Sequence, residues 1–302
     1  MSIKVDGLVK TFGEQIAVND ISFDISKGNI VGFLGPNGAG KSTTMKMLTT
    51  YLLPNAGKAF ICDFDVVKDK MEVRKRVGYL PESNPLYYDM YVKEYLHFVA
   101  HVHKLFNVSN KVSDVIAQTG LEKEMHKKLG QLSKGYKQRV GLAQAIIHKP
   151  EVLILDEPTS GLDPNQLSDI RDLIVSLGKE KTVLLSTHIM QEVQAMCNRV
   201  IIIKDGKIIA DDPIDVIQNQ STDNNTIIIS WDKNISLEQL KQINNITSFK
   251  QIEPNTWALE TQEPENLRKN LMRWSLDNDL IIVSMKAESK SLEDVFRILT
   301  QK

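Results

Sequence analysis

Gly35-Pro36-Asn37-Gly38-Ala39-Gly40-Lys41-Ser42 decides how this chain is read. It meets G-x-x-x-x-G-K-[ST] at every fixed position. The segment before it, Ile30-Val31-Gly32-Phe33-Leu34, reads as a buried strand. From Lys41 onward Met45, Met47, Leu48, Tyr51 and Leu52 fall at helical spacings, and Pro54 is expected to end that helix. Strand, glycine-rich turn and helix in this order are the context the pattern requires. Glycines let the backbone curl until several N–H groups point at one place. The helix N-terminus adds the positive end of its dipole. Such a cradle suits phosphate, so Gly35, Pro36, Asn37, Gly38, Ala39, Gly40 and Thr43 are candidate contacts. Lys41 is placed to reach the β- and γ-phosphates, and Ser42 to offer its hydroxyl to Mg²⁺.

A second stretch, Val152-Leu153-Ile154-Leu155-Asp156-Glu157, is an apolar strand ending in two carboxylates. Open parallel sheets gather ligand-binding groups at the carboxyl ends of their strands. Asp156 is therefore expected to hold Mg²⁺ through water, and Glu157 to orient and polarise a water for in-line attack.

The remainder of the chain gives these segments a setting. At 302 residues, 42% of them hydrophobic, it can bury one or two cores. A net charge of −1 argues against a binder of nucleic acid driven by bulk charge. Cys62 and Cys197 lie too far apart for a metal-ligand spacing, which suits a reducing compartment. No apolar run is long enough for a membrane helix, and MSIKVDGLVK lacks the apolar stretch of a signal peptide. Ile3, Val5 and Leu8, then Ile21, Phe23 and Ile25, alternate as half-buried strands do. Residues 92–128 read as a helical insertion. Strands at 152–155, 182–185 and 200–203, with helices at 164–178 and 188–198 between them, predict a mainly parallel sheet covered by helices. The polar stretch 219–225 is the expected linker. After it, strand 226–231, helix 236–243, strands 246–252 and 255–260, helix 264–276, strand 280–286 and helix 291–301 predict a small α+β domain.

Further segments carry a resemblance. Leu132-Ser133-Lys134-Gly135-Tyr136-Lys137-Gln138-Arg139 resembles the signature motif of ABC proteins, just upstream of the Asp-Glu strand. Pro158-Thr159-Ser160-Gly161-Leu162-Asp163 resembles their D-loop, and Ser186-Thr187-His188 their switch histidine. Gly78-Tyr79-Leu80-Pro81-Glu82 stands at the Q-loop, and Phe12 resembles the aromatic residue that stacks on adenine. Order and spacing over about residues 2–215 are similar to the ATP-binding subunit of an ABC transporter. The resemblance implies an α/β P-loop NTPase fold of the ABC type over 1–220, with a helical subdomain at about 85–145 and a small α+β domain over 221–302. It implies ATP hydrolysis with Mg²⁺, held by Ser42, Glu82 and Asp156. His188 joins Glu157 in catalysis, Ser133 and Gly135 reach the γ-phosphate of a second copy, and Asp163 couples the two sites. It also implies an ATP-bound homodimer, a separate transmembrane permease and no nucleic acid, at the cytoplasmic face of a cell membrane.

The variants Leu-Pro-Glu and Leu-Ser-Lys-Gly-Tyr, and the run Ser291-Leu292-Glu293-Asp294-Val295-Phe296, look most like the gliding-motility and drug- or bacitracin-exporter branch. Three positions depart from the family pattern, Tyr136 standing where the signature has glutamine. Glu82 replaces glutamine and adds negative charge beside the γ-phosphate, and Lys134 replaces the signature's second glycine. The alternative is a soluble ABC-type ATPase acting on ribosomes or DNA. A single phosphate loop, and no heptads between it and the acidic strand, count against that.

Other residues invite plainer readings. Pro85-Leu86-Tyr87-Tyr88-Asp89-Met90-Tyr91 has interface-like composition, although core packing is the competing account. His97, His101 and His103 lack the partners of a metal site and read as surface or packing residues. Lys123–Lys128 reads as a solvated face, and Trp231, Trp257 and Trp274 as the core of the second domain.

Overall fold

The alternation in the first residues produces two strands, β1 (Ile3–Phe12) and β2 (Gln15–Ile25). They pair antiparallel, with Ile3 opposite Ile25 and Val5 opposite Phe23. The structure is a computed structural model, and it describes residues 1–220, 226–287 and 292–301. Gly13, at φ +58°, makes the turn between β1 and β2 and sets Phe12 opposite Gln15. β3 (Ile30–Leu34) runs into the glycine-rich turn, and α1 (Lys41–Leu48) leaves it. That helix stops at Leu48, short of the stop expected at Pro54. Thr50 adopts φ +63°, and the N–H groups of Tyr51 and Leu52 both donate back to the Lys46 carbonyl. Tyr51 therefore leaves the apolar helix face and stands 75% exposed.

Residues 56–80, which carry no clear period, form β4 (Ala56–Ile61), β5 (Phe64–Asp65), α2 (Lys70–Arg76) and β6 (Val77–Leu80). The helical insertion holds α3 (Val92–Val102), α4 (Val108–Thr119) and α5 (Lys134–Ile146). Lys104 and Asn107, both at φ +53°, break the first two apart. Then come β7 (Val152–Asp156), α6 (Pro164–Gly178), β8 (Thr182–Ser186), α7 (Met190–Met196), β9 (Arg199–Lys204), β10 (Lys207–Pro213) and α8 (Ile214–Gln220). The helix expected from 188 begins at Met190, because Thr187 Oγ1 accepts the N–H of Ile189 and holds the preceding residues in a loop.

The strands form two sheets in this part. One is antiparallel, in the order β2-β1-β4-β5; the other runs β10-β9-β3-β8-β7-β6. β9, β3, β8, β7 and β6 are mutually parallel, and β10 closes the edge antiparallel to β9. So the early strands lie outside the parallel sheet, in a sheet of their own. Burial on both faces explains the unbroken apolar runs of the parallel strands. In β7, Val152 and Ile154 enter the core shared with the antiparallel sheet and α1, while Leu153 and Leu155 enter the core shared with the helical insertion.

Backbone proximity separates Met1–Ile214 from a smaller unit, Asp215–Ile298. Residues 221–225 of the expected linker lie outside the described residues, as does Ser291. The smaller unit contains β11 (Thr226–Trp231), α9 (Leu237–Leu240), β12 (Ser248–Glu253), β13 (Thr256–Glu260), α10 (Pro264–Asp277) and β14 (Ile282–Ala287); α11 (Leu292–Gln301) follows. α9 is one turn only, shorter than the expected 236–243. Ser236 caps it, its side chain accepting from Gln239 N–H. The sheet is antiparallel in the order β12-β13-β11-β14. Trp231 and Trp257 are buried in its core with Ile227, Ile229, Leu259 and Leu271, and Trp274 packs against it.

Candidate functional site

The loop after β3 owes its shape to two glycines. Gly40 caps α1 at φ +108°, and a Cβ on it would lie 2.4 Å from the Ala17 carbonyl oxygen. A Cβ on Gly35 would lie 2.3 Å from the Ile203 carbonyl oxygen. Backbone cannot yield as a flexible side chain does, so both positions require glycine. Lys41 is 7% exposed, and its Nζ donates to the carbonyls of Gly35, at 2.7 Å, and Pro36, at 3.1 Å. Burial pulls its ammonium below the ordinary lysine range, against the opposing pull of Glu157, Asp156 and Glu82.

At the ends of β7 and β8 the acidic pair separates by direction. Asp156 Oδ1 accepts from Ser42 Oγ at 3.1 Å and from Ser186 Oγ at 2.6 Å. Glu157 breaks the strand at φ +50°, its N–H donated to Ser186 Oγ at 3.0 Å. The turn aims its side chain at His188, whose Nδ1 lies 2.9 Å from Glu157 Oε2. Burial pushes the Glu157 carboxyl above the usual carboxylate range, with His188 and Lys41 opposing. The His188 side chain is 59% exposed, so its loop, rather than packing around the ring, sets its place.

A cavity of about 480 Å³ collects Phe12, Asn37, Gly38, Gly40, Lys41, Ser42, Thr43, Glu82 and Glu157. These come from four separated stretches of sequence. Gly35, Pro36 and Ala39 shape the loop beneath. Gln15 and Ala17 line the cavity too and were missed by the sequence reading, although the Gly13 turn that returns β2 past Phe12 was the available signal. Ser186, quoted for its motif only, is the donor that fixes Asp156. Ser133, Gly135 and Asp163 line no part of this cavity. Ser133 caps α5, its side chain accepting from Tyr136 N–H, and Asp163 caps α6, accepting from Gln166 N–H at 3.0 Å. Gly135 packs so tightly on Gln166 that a Cβ would lie 2.4 Å from its Oε1.

The donor set also fits Mg²⁺. Ser42 Oγ and Asp156 Oδ1 are adjacent hard oxygens, and Mg²⁺ takes one or two protein oxygens beside phosphate and water. Among the described residues no group of three or more His, Cys, Asp or Glu offers a fuller protein cage.

A second cavity, of about 630 Å³, adjoins the first. It shares Ser42 and Glu82 with it and also reaches Asp156. Tyr51, Arg74, Tyr79, Pro85, His103 and His148 line it. His103 stacks on His148, with ring centroids 4.1 Å apart, and burial lowers the pKa of His148 to about 4. His103 is thus a packing residue.

The family described as "ABC transporter" matches residues 18–160. The bacitracin transport ATP-binding protein BcrA of Bacillus licheniformis is 32% identical over 97% of this chain and 95% of its own length. The ABC transporter ATP-binding protein NatA of Bacillus subtilis is 40% identical, over 64% of this chain and 80% of its own. Among solved structures, an ATP-binding subunit of an ABC transporter is 28% identical at a TM-score of 0.67, covering 73% of this chain and 93% of that one. cbiO1 from Clostridium perfringens, part of the cbiONQ complex, is 31% identical at a TM-score of 0.64, covering 70% and 88%. The likeness to BcrA runs past the nucleotide fold and through the smaller unit. This chain therefore belongs to the ATP-binding, ATP-hydrolysing subunits of ABC transporters.

Proposed function

We propose that two copies of this chain close head to tail over two ATP molecules and so drive a separate transmembrane permease. The observation that carries this reading is the half-built cavity. One chain supplies the phosphate loop, Phe12, Glu82 and Glu157 to it, whereas Ser133, Gly135 and Asp163 stay outside. A second copy related by a two-fold axis can bring those three to each site. Phe12 is 49% exposed and lines the cavity, with Lys10 Nζ over its ring at 5.1 Å from the centroid, a placement that suits stacking on adenine. The curled backbone of residues 35–40 and Lys41 grip the phosphates. Ser42 and Asp156, with Glu82 beside them, hold Mg²⁺, whose charge stabilises the phosphate oxygens. Glu157 takes a proton from the attacking water, and His188 holds that water and the γ-phosphate. Ser133, at the N-terminus of α5, adds N–H donors to the γ-phosphate across the interface. Loss of that phosphate releases the partner.

The permease contact belongs beside Glu82. Leu86 is buried, but Tyr87, Tyr88 and Tyr91 are 58%, 56% and 48% exposed. Tyr87 meets the edge of Phe98, itself 43% exposed, at 5.8 Å between centroids. Exposed aromatics that follow Pro85, a lining residue of the larger cavity, suit a protein partner. No helix among the described residues is long and apolar enough to cross a membrane, so a permease on a separate chain fits. We assign the complex to the cytoplasmic face of the membrane and to export. A Nod factor export ATP-binding protein of Burkholderia lata, 38% identical over 67% of this chain, favours the exporter branch.

Co-purification from gently solubilised membranes of the native cell tests this directly. A stoichiometric multi-span membrane protein is expected; ribosomal proteins or DNA alone would overturn the reading. Tyr87→Ser with Phe98→Ser is expected to lose that companion while basal ATPase stays within about twofold, since neither ring lines the nucleotide cavity. We also propose that residues 1–220 fold without the remainder, because the smaller unit has its own core. A chain ending at residue 220 is expected to remain soluble and bind ATP; insoluble protein would refute that boundary.

A further inference from the structure

We propose that Glu192 is a positioning residue that ties the Pro158–Asp163 segment to the loop carrying His188. Glu192 lies in the first turn of α7 and is 1% exposed. Its Oε2 accepts two hydroxyl hydrogen bonds, from Thr159 Oγ1 at 2.5 Å and from Thr187 Oγ1 at 3.0 Å. Thr159 stands two residues after Glu157, and Thr187 one residue before His188. Thr187 Oγ1 also accepts the N–H of Ile189, so the hydroxyl that meets Glu192 also shapes the His188 loop.

Packing does not account for this carboxyl group. Its Oε1 is buried with no hydrogen-bond partner among the described residues. Burying a carboxyl group with one oxygen unmet is costly, and an apolar side chain of similar volume would fill the space more cheaply. Glu192 instead joins two segments that come from the ends of different strands. The Glu157–His188 contact, at 2.9 Å, is a second rung between the same two segments. His188 is mostly exposed, so its position depends on Thr187, and Thr187 depends on Glu192. A displacement of the Pro158–Asp163 segment is carried by Thr159 to Glu192, and from there to Thr187 and His188. This rests on the proposed roles of Glu157 and His188 and on a partner copy that meets Asp163. It adds the side chain through which the partner's arrival sets the attacking geometry.

The test measures ATPase kcat, ATP affinity and Tm on the full chain. Thr159→Val keeps the shape and removes the hydroxyl. It is expected to lower kcat by about 10- to 100-fold with ATP affinity nearly unchanged, and to lower Tm by a few degrees because the buried carboxyl group loses one of its two donors. Thr159→Ser keeps the hydroxyl and is expected to restore most of kcat. Glu192→Leu is expected to match Thr159→Val, and the double variant to be no worse than either single one, because all three break one bridge. Should Glu192→Leu fail to fold, the Thr159 pair decides alone. Wild-type kcat in Thr159→Val, equal losses of kcat and affinity, or no recovery in Thr159→Ser would overturn the proposal. Glu157→Gln is the control. If it hydrolyses ATP normally, the catalytic reading itself fails; if it is inactive while Thr159→Val is fully active, only the Glu192 bridge fails.

Discussion

Glu157→Gln is expected to bind ATP and almost fail to hydrolyse it, with kcat down about 10³-fold, the usual range for a lost general base. The substitution keeps size and hydrogen-bonding capacity, so the φ +50° turn and the 2.9 Å approach to His188 need not change. What disappears is a carboxylate in the cavity that holds Lys41 and Ser42. Stalled chains should accumulate as an ATP-bound dimer, visible by size-exclusion chromatography. Near-normal turnover would show that another group accepts the proton. Burial has a consequence for pH. A base whose pKa is raised loses its charge sooner on acidification, so the acid limb of kcat is expected above the ordinary glutamate range. Stability follows the same sign. The folded state favours the protonated carboxyl, so the carboxylate costs stability near neutral pH and that cost fades as pH falls. Glu157→Gln is thus expected to raise Tm near neutrality, by an amount that shrinks on acidification.

Lys41→Ala is expected to weaken ATP binding by about 100-fold or more, since about 3 kcal/mol of charge-assisted contact is lost. In the structure the ammonium bridges two loop carbonyls, 2.7 and 3.1 Å away, and so stands at the mouth of the phosphate cradle. Two effects oppose each other in the free protein. Removing a buried cation relieves desolvation, but the carbonyls of Gly35 and Pro36 lose their donor. The unliganded Tm should therefore move little. ATP provides the sharp readout. At 100 times Kd it stabilises a chain that binds it by about 2.7 kcal/mol, a rise of roughly 5 to 10 °C for a unit of this size. Lys41→Ala should show no such rise. A full ATP-induced shift in that variant would remove Lys41 from the phosphate site.

The nucleotide half of the site was legible in the sequence because its residues sit in short local patterns. Gly35–Ser42 and Asp156-Glu157 state their chemistry by spacing, and the structure brings Glu157 into the cavity of the phosphate loop and Asp156 to the hydroxyl of Ser42. Gln15 and Ala17 carry no chemical signature, and only the pairing of β1 with β2 places them there. The bridge through Glu192 was illegible for the same reason. A glutamate in an amphipathic helix looks solvated until the ends of β7 and β8 close over it. In the fold, long periodic helices such as Pro164–Gly178 were plain from spacing, whereas β4 and β5 are short and paired at a sheet edge, where pattern is weak. The overrun past Leu48 had a physical cause too, because a threonine in left-handed backbone leaves no local mark.

All three tryptophans lie between residues 231 and 274, inside the smaller unit. Trp231 donates to Ser275 Oγ at 2.8 Å and meets Trp274 edge-on. Intrinsic fluorescence excited at the red edge, where tyrosine is silent, therefore observes that unit and is blind to the nucleotide fold. Melting followed by emission should ignore ATP, while the same sample in a calorimeter should respond to it. A shift in emission on adding nucleotide would then be a direct optical signal that the two units communicate.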